Sequence, residues 1–595
     1  MNGVPFRIQK FSVNPDTEAI EVGSVSGQQM PQIPSYFVKS TAPPNIEDAA
    51  QLSIQEEERT RRGVSAIAQD LYRIYRDPTI TEAPELVITI HGYNTHERGI
   101  KSWYGDMVRY INQGDEAIRH KRNAVFIGYR WSSENFSIAP KHLWANLRAL
   151  PSAPKLLLKL GGFFSIACLI AGFVIADDRI DFGLGLLLGL AASTAAIVIA
   201  LVLLRLSVYF RDVYRATNFG VLDLVELIRM LDRAIINQTA ADLDRTVPNR
   251  SQAAREHWET SSQRIRLNFV GHSMGALVVT NVVRILSDVF DQRSIAKSPV
   301  PEIGRTFSLE RLVLVAPDIP ILSIISSRAN FLASSLRRFN EAYLFSSEGD
   351  LALRFASTAV NYISFPSATR TRGYRLGNVA LRETEEYGIV NLASLRQYFG
   401  AEVGLQRAIA DDPDDILKNL YVTHSGKQPD GYLSLAELFS QQDKIAAASA
   451  TLADLFTFFD CTDYHDTCVC FAGSDREPQR MGILSRSRRK KLLGVWDYIE
   501  LAFDSVRKQR DVHGGYFHGE FSRQLIYRLA FLGFEGVLKA TPAASPQAAL
   551  DTLNEQCRDV LIQAYVSPLH YRVGVQGQPV TEAKAELLKK IKTEA

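Results

Sequence analysis

Four stretches of this chain are apolar almost without interruption: ELVITIHG (Glu85–Gly92), NAVFIGYRW (Asn123–Trp131), IRLNFVG (Ile265–Gly271) and LERLVLVAPD (Leu309–Asp318). A fifth, EAYLFSSEGD (Glu341–Asp350), follows them. A strand that is apolar on both faces must be covered on both faces. Segments with helical periodicity run between them: HERGIKSWYGDMVRYINQ, VYRATNFGVLDLVELIRMLDRAI and ALVVTNVVRILSDVF. Strands alternating with helices in this way predict a mostly parallel, doubly wound α/β sheet. Ligands on such a sheet sit beyond the carboxyl ends of the strands.

The formal net charge of +2 is too balanced for a nucleic-acid partner. The basic run RSRRKK (Arg486–Lys491) reads as a solvated face. Cysteines stand at Cys168, Cys461, Cys468, Cys470 and Cys557, an odd set without disulfide spacing, which predicts a reducing compartment. The start MNGVPFRIQKF lacks the apolar core of a cleaved export signal.

Two uncharged runs change the class: Leu160–Ala176 and Phe182–Leu204. Each approaches the ~20 residues that cross a bilayer. Lys141, Arg148, Lys155 and Lys159 precede them, Arg205, Arg211 and Arg215 follow, and Asp177, Asp178 and Asp181 lie in the turn between. Basic flanks stay inside, so the expectation is an integral membrane protein with two transmembrane helices and a cytoplasmic main domain. A hairpin buried in the core, or dipping into one leaflet, is the alternative.

The third strand stops at GHSMG (Gly271–Gly275) and a helix leaves it. Strand, tight turn and helix make a nucleophile elbow, with Ser273 Oγ held out over the sheet. The N–H of Met274, at the helix start, can stabilise an oxyanion. A serine hydroxyl needs a base, and the base needs an orienting acid. On such a sheet the chain order is serine, acid, histidine. Asp350, just past a strand, is the candidate acid, with Asp318 in LVLVAPDIP as the alternative. His513, in the glycine-flanked loop DVHGGYFHG, is the candidate base; His518 and then His465 are the alternatives. In VITIHGYNTHERG, Gly92 frees the backbone so that the N–H of Tyr93 or Asn94 can complete the oxyanion hole, while His91 reads as a structural loop histidine.

HGYNT, YRWSS, GHSMGALVV, LVLVAPDI, FSSEGDLAL and a late HGGYF together resemble the α/β-hydrolase superfamily. More narrowly, they resemble a bacterial serine-hydrolase family of largely undefined function that opens with HG(F/Y)N. The likeness spans roughly residues 80–350 and 450–540. It implies a triad of Ser273, Asp350 and His513, an oxyanion hole at Tyr93 and Met274, and no metal or organic cofactor.

The expected organisation is an N-terminal arm and helix (1–80), the first part of the hydrolase domain (81–155), the transmembrane hairpin (156–206), the core with its elbow (207–354), an insertion (355–450), a last strand with the histidine loop and closing helices (451–545), and a helical tail (546–595). CTDYHDTCVC, with Cys461, His465, Cys468 and Cys470, lacks a CxxC pair and reads as a cysteine-rich loop. GKQPDGYLSLAE (Gly426–Glu437) is in register with a calcium loop but has glycine at the first ligand position, so it reads as a turn and cap. The expected function is a membrane-anchored serine hydrolase, esterase- or lipase-like, that cleaves carboxylic esters through an acyl-enzyme. Its partners are a lipid bilayer and an ester substrate, with lipid favoured because the hairpin tethers the site. The competing expectation is a catalytically silent membrane scaffold or signalling module on the same fold.

Overall fold

The computed structural model describes residues 4–13, 20–22, 31–42, 53–133 without 94, 207–287, 301–321, 336–357, 374–381, 386–399, 416–423, 432–440, 453–467, 480–482, 493–506 and 510–593, with isolated positions between 156 and 190. Its main sheet has twelve strands: β1 (Phe6–Val13), β2 (Ile20–Val22), β3 (Ser35–Ser40), β4 (Glu85–Ile90), β5 (Ala124–Arg130), β6 (Ile265–His272), β7 (Glu302–Ile303), β8 (Phe307–Val315), β9 (Glu341–Ser346), β10 (Gly388–Ile389), β11 (Phe456–Asp460) and β12 (Gln563–Tyr565). Their order is β10-β12-β11-β9-β8-β6-β4-β5-β3-β1-β2, with β7 beside β8. Every pairing from β11 to β3 is parallel. Antiparallel pairs occur at β1 with β2 and β3, at β7 with β8, and at β12 with β11.

Six helices matter for the site: α1 (Ile54–Arg76), α2 (Glu97–Arg109), α3 (Val221–Asp242), α4 (Met274–Leu286), α5 (Val495–Val506) and α6 (Glu520–Ala540). Successive strand side chains point to opposite faces, which divides the interior into two cores. Leu86, Ile88 and Ile90 of β4 pack with α1, α3 and α4. Val87 packs with α2 and α6 on the other side. Helix α1 begins at a capping box of Ser53 and Glu56. It buries Val64, Ile67, Ala68 and Leu71, the i, i+3, i+4, i+7 stripe of a half-buried helix.

At the amino ends of the central strands lies a buried charge cluster. Glu85 is fully buried, and Arg311 and Lys121 reach it at 2.7 and 3.0 Å while Asn268 donates at 3.1 Å. Burial alone would raise this carboxyl, but the two cations outweigh it and hold its pKa at about 2. The cluster ties β4, β6 and β8 together below the sheet centre. Breaking such a pair strands an uncompensated buried charge.

The sheet is mostly parallel, as the double-sided apolar runs predict, and it is wider than they indicate. The N-terminal arm supplies β1, β2 and β3. The stretch expected to be an insertion supplies β10, together with a separate three-stranded sheet at 380–381, 420–423 and 432–434. Strand β11 is not the last: the tail expected to be helical contributes β12, wedged between β10 and β11. Strands of two or three residues are too short to carry a readable period.

The hairpin at 156–206 lies largely outside the described residues. No described helix is long and apolar enough to cross a membrane. At the isolated helical positions, Ser165 Oγ donates to the carbonyls of Gly161 (2.7 Å) and Gly189 (2.9 Å), so the two arms touch. Cys468, Cys470, His424 and residues 426–431 also lie outside the described residues. Cys461 is buried directly after β11.

Candidate active site

Strand β4 has β5 on one side and β6 on the other, so the chain reverses direction across it. Loops after β4 and β6 therefore meet at the carboxyl edge, where such sheets bind ligands. Ser273 stands at that edge with φ +53° and ψ −122°, a strained conformation for a residue with a Cβ. Its N–H donates to Val315 O at 2.9 Å, and its own carbonyl accepts from Ala276 and Asp318 N–H. Two glycines make room for the corner. A Cβ on Gly275 would overlap the carbonyl oxygens of Ile90 and His91, and one on Gly92 would lie 2.7 Å from Ser273 Cβ. The loop after β4 thus runs directly against the serine.

His513 enters from the loop after α5. Asp511 Oδ1 accepts from the N–H groups of His513 and Gly514 at 3.1 and 2.7 Å and shapes the turn. His513 Nε2 lies 2.8 Å from Ser273 Oγ, and its Nδ1 lies 2.7 Å from Asp350 Oδ2. A carboxylate only accepts, so Nδ1 carries the proton and Nε2 is free to take one from the serine. Asp350 is fully buried after β9, with Oδ1 accepting from Ala352 and Leu353 N–H at 3.0 and 3.1 Å. Burial pulls the His513 imidazole down, but the adjoining Asp350 carboxylate outweighs it and raises its pKa above the ordinary value.

The alternatives from sequence lie elsewhere. Asp318 is buried and engaged: Arg375 Nε sits 3.1 Å from Oδ1, and Tyr209 Oη donates to Oδ2 at 2.8 Å. His518 closes the short turn Gly515–Phe517, and burial lowers its pKa. His465 begins a separate two-stranded ribbon, its N–H donating to Val560 O at 3.0 Å.

The two candidate oxyanion donors flank the serine. Met274 opens α4, and N–H groups in a first helical turn have no intrahelical acceptor. Tyr93 follows Gly92, its ring set edgewise against His513 (6.2 Å) and Tyr209 (5.8 Å). Asn94 lies outside the described residues. His91 stacks flat on Trp131 at 5.2 Å, and burial brings its pKa down to about 3. Trp131 Nε1 returns a hydrogen bond to His91 O, and Thr95 N donates to Ser133 Oγ, so the loops after β4 and β5 are locked together.

His272, the variable residue inside the elbow motif, has a role that its type and position do not announce. Its Nε2 is 2.8 Å from His513 O, and that carbonyl only accepts, so Nε2 donates. Burial lowers its pKa to about 3 and keeps the ring neutral. Phe517 and Trp103 pack edgewise on it at 5.4 and 6.2 Å. It positions the histidine loop without touching the reacting atoms. His272→Ala is expected to lower kcat about tenfold, the equivalent of one hydrogen bond, with little change in KM. His272→Gln, which keeps a donor, should recover part of that loss. Unchanged kcat in the alanine variant, measured on soluble esters, would remove the positioning role.

No curated protein and no solved structure matches the chain. Residues 230–370, from within α3 through the elbow to beyond Asp350, match the model of a family described as "Alpha/beta hydrolase of unknown function (DUF900)", so this part of the chain is similar to α/β hydrolases.

Proposed function

We propose that this protein is a membrane-anchored serine hydrolase that cleaves carboxylic esters. The observation that carries the reading is the relay from Ser273 Oγ to His513 Nε2 (2.8 Å) and from His513 Nδ1 to Asp350 (2.7 Å). Ser273 Oγ attacks the ester carbonyl while its proton passes to His513 Nε2. Asp350 stabilises the imidazolium, and the N–H groups of Met274 and Tyr93 hold the tetrahedral oxyanion. Collapse expels the alcohol, which takes the proton from His513. Water, deprotonated by the same imidazole, then releases the acid and restores the serine. A silent scaffold would have no use for all three groups in mutual register.

Anchoring is supported by the charge pattern around 156–206 and by the described helical positions there. Leu156, Leu160, Phe163, Ile166, Ile170, Leu187 and Leu190 are all solvent-exposed apolar side chains. The chain leaving that segment reaches the site at once: Tyr209 touches Tyr93 and bonds Asp318. A lipid ester is the substrate class this proximity favours.

One experiment tests both parts. Membranes containing the protein are washed with alkaline carbonate and assayed with short-chain p-nitrophenyl esters, then quenched with hydroxylamine to trap an acyl group. Retained protein, steady p-nitrophenolate release and acyl hydroxamate are expected. Extraction into the wash would remove the spanning hairpin; absence of turnover by the retained protein would remove the esterase.

A further inference from the structure

The helix that leaves the 156–206 segment reaches back toward the site with a buried acid. Residues 207–215 are helical and run through the turn Ala216–Gly220 into α3. Tyr209 and Asp212, three positions apart and so on one face, are both buried, Asp212 completely. Tyr209 bonds Asp318, whose N–H holds the Ser273 carbonyl. Asp212 has no place in the relay, yet a buried carboxylate is costly unless its oxygens are filled. Arg211 donates to Oδ1 from two nitrogens, Nε at 3.1 Å and Nη2 at 2.9 Å. Oδ2 accepts from Ser133 Oγ at 2.8 Å.

The direction of that last bond decides what Ser133 can do. A carboxylate only accepts, so the single hydroxyl proton of Ser133 points at Asp212 and its lone pairs are turned away. One of them accepts the N–H of Thr95 at 3.2 Å. Thr95 closes the loop after β4: its Oγ1 lies 2.8 Å from His91 Nδ1 and 3.2 Å from Gly92 O. Tyr93, whose N–H is a candidate oxyanion donor, stands between Gly92 and Thr95, and Gly92 runs hard against Ser273. Ser133 is itself fully buried, and its carbonyl accepts from Arg130 at 3.1 Å. Carboxylate, hydroxyl and N–H thus form one chain from the helix to the loop that carries the donor, and linked hydrogen bonds strengthen one another.

We propose that Asp212 is a positioning residue: through Ser133 it holds the loop after β4 where the Tyr93 N–H meets the oxyanion. Such a donor works only at about 2.7–3.1 Å from the developing charge. The role rests on Ser273 as the nucleophile proposed above, and labelling of that serine separates its failure from failure of the ester reading.

The test uses the full chain in detergent. A fluorophosphonate reports the hole without an ester, because the phosphonyl oxygen gains charge in the same place. Asp212→Ala and Ser133→Ala should each slow labelling of Ser273 about tenfold and lower kcat on a p-nitrophenyl ester about thirtyfold, with KM little changed. Asp212→Asn, whose amide oxygen can still accept from Ser133, should recover most of both losses. The double variant Asp212→Ala/Ser133→Ala should lose no more than either single one, since both act through one chain. The matching thionoester separates positioning from general damage. Sulfur accepts hydrogen bonds weakly and gains little from the hole, so its turnover should fall less than about threefold. Should Asp212→Ala fail to fold, Ser133→Ala carries the same comparison, because it removes one hydroxyl and leaves Asp212 its Arg211 partner. Labelling at the wild-type rate in the variants, equal losses on the two esters, or additive losses in the double variant overturn the positioning. Labelling slowed as expected, with no ester turnover by the wild type, overturns the esterase reading and leaves the positioning standing.

Discussion

Ser273→Ala is expected to lower ester turnover by about 10³-fold or more, the loss typical of removing one member of a triad that works as a unit. The substitution deletes Oγ and keeps Cβ, so the strained corner at φ +53° makes the same demands on the backbone. Neighbouring contacts run through main-chain atoms: Ser273 N to Val315 O, and Ser273 O to Ala276 and Asp318 N–H. The fold should therefore survive while the nucleophile is lost. A fluorophosphonate reads the same atom directly. Oγ bonds to phosphorus, fluoride leaves, and the serine proton passes to His513. Peptide mapping should find the adduct on Ser273 in the wild type and nowhere in the variant. Wild-type turnover in Ser273→Ala, or an adduct on another serine, would assign the attack elsewhere.

Asp350→Asn should be nearly as damaging, ~10³-fold or more in kcat. Asp350 Oδ1 is held by the N–H groups of Ala352 and Leu353. In the asparagine variant the amide oxygen stays on those donors, and the NH2 group faces His513 Nδ1. That nitrogen must then accept, which puts the imidazole proton on Nε2, where it can no longer take one from the serine. The pH profile gives a second signature. His513 must be neutral to act as base, and Asp350 is what holds its pKa up against burial. Without the carboxylate, burial prevails, and the acid limb of the residual activity should move to lower pH. Asp318→Asn should behave differently. Its partners are Arg375 and Tyr209, so the main cost is a weakened buried ion pair, on the order of 3 kcal/mol of stability, with a smaller effect on rate. Thermal melts alongside kcat separate the two variants, and reversed ranks would move the acid role to Asp318.

Much of this site is legible in the sequence, because α/β chemistry is tied to strand ends. GHSMG marks its own corner, and Asp350 stands just past an apolar strand. Ser273 and Asp350 each lie within hydrogen-bond reach of His513, on opposite ring nitrogens. What stays hidden depends on contacts between distant segments. The donation from His272 to the His513 carbonyl needs the folded histidine loop, and nothing in the motif calls for a neutral imidazole there. Glu85 looks like a polar strand boundary until Arg311 and Lys121 arrive to neutralise it. Strands β10 and β12 are only two and three residues long and gain order from their neighbours, not from an alternating pattern.

The position of β6 between β4 and β8 bears on how the chain is made. Strands β4 and β5 pair early, but the other edge of β4 is completed only by a strand that begins at Ile265. A ribosome needs on the order of ten seconds or more to synthesise the residues between. Throughout that interval the nascent chain presents one apolar strand edge with unpaired N–H and C=O groups, a template for pairing with another chain. The segment made during the delay contains the two long uncharged runs, so the open strand edge and those runs wait together for the rest of the chain. Closure of the sheet is thereby deferred until those runs, helix α3 and β6 itself have been made, and Ser273 stands directly after the strand that closes it.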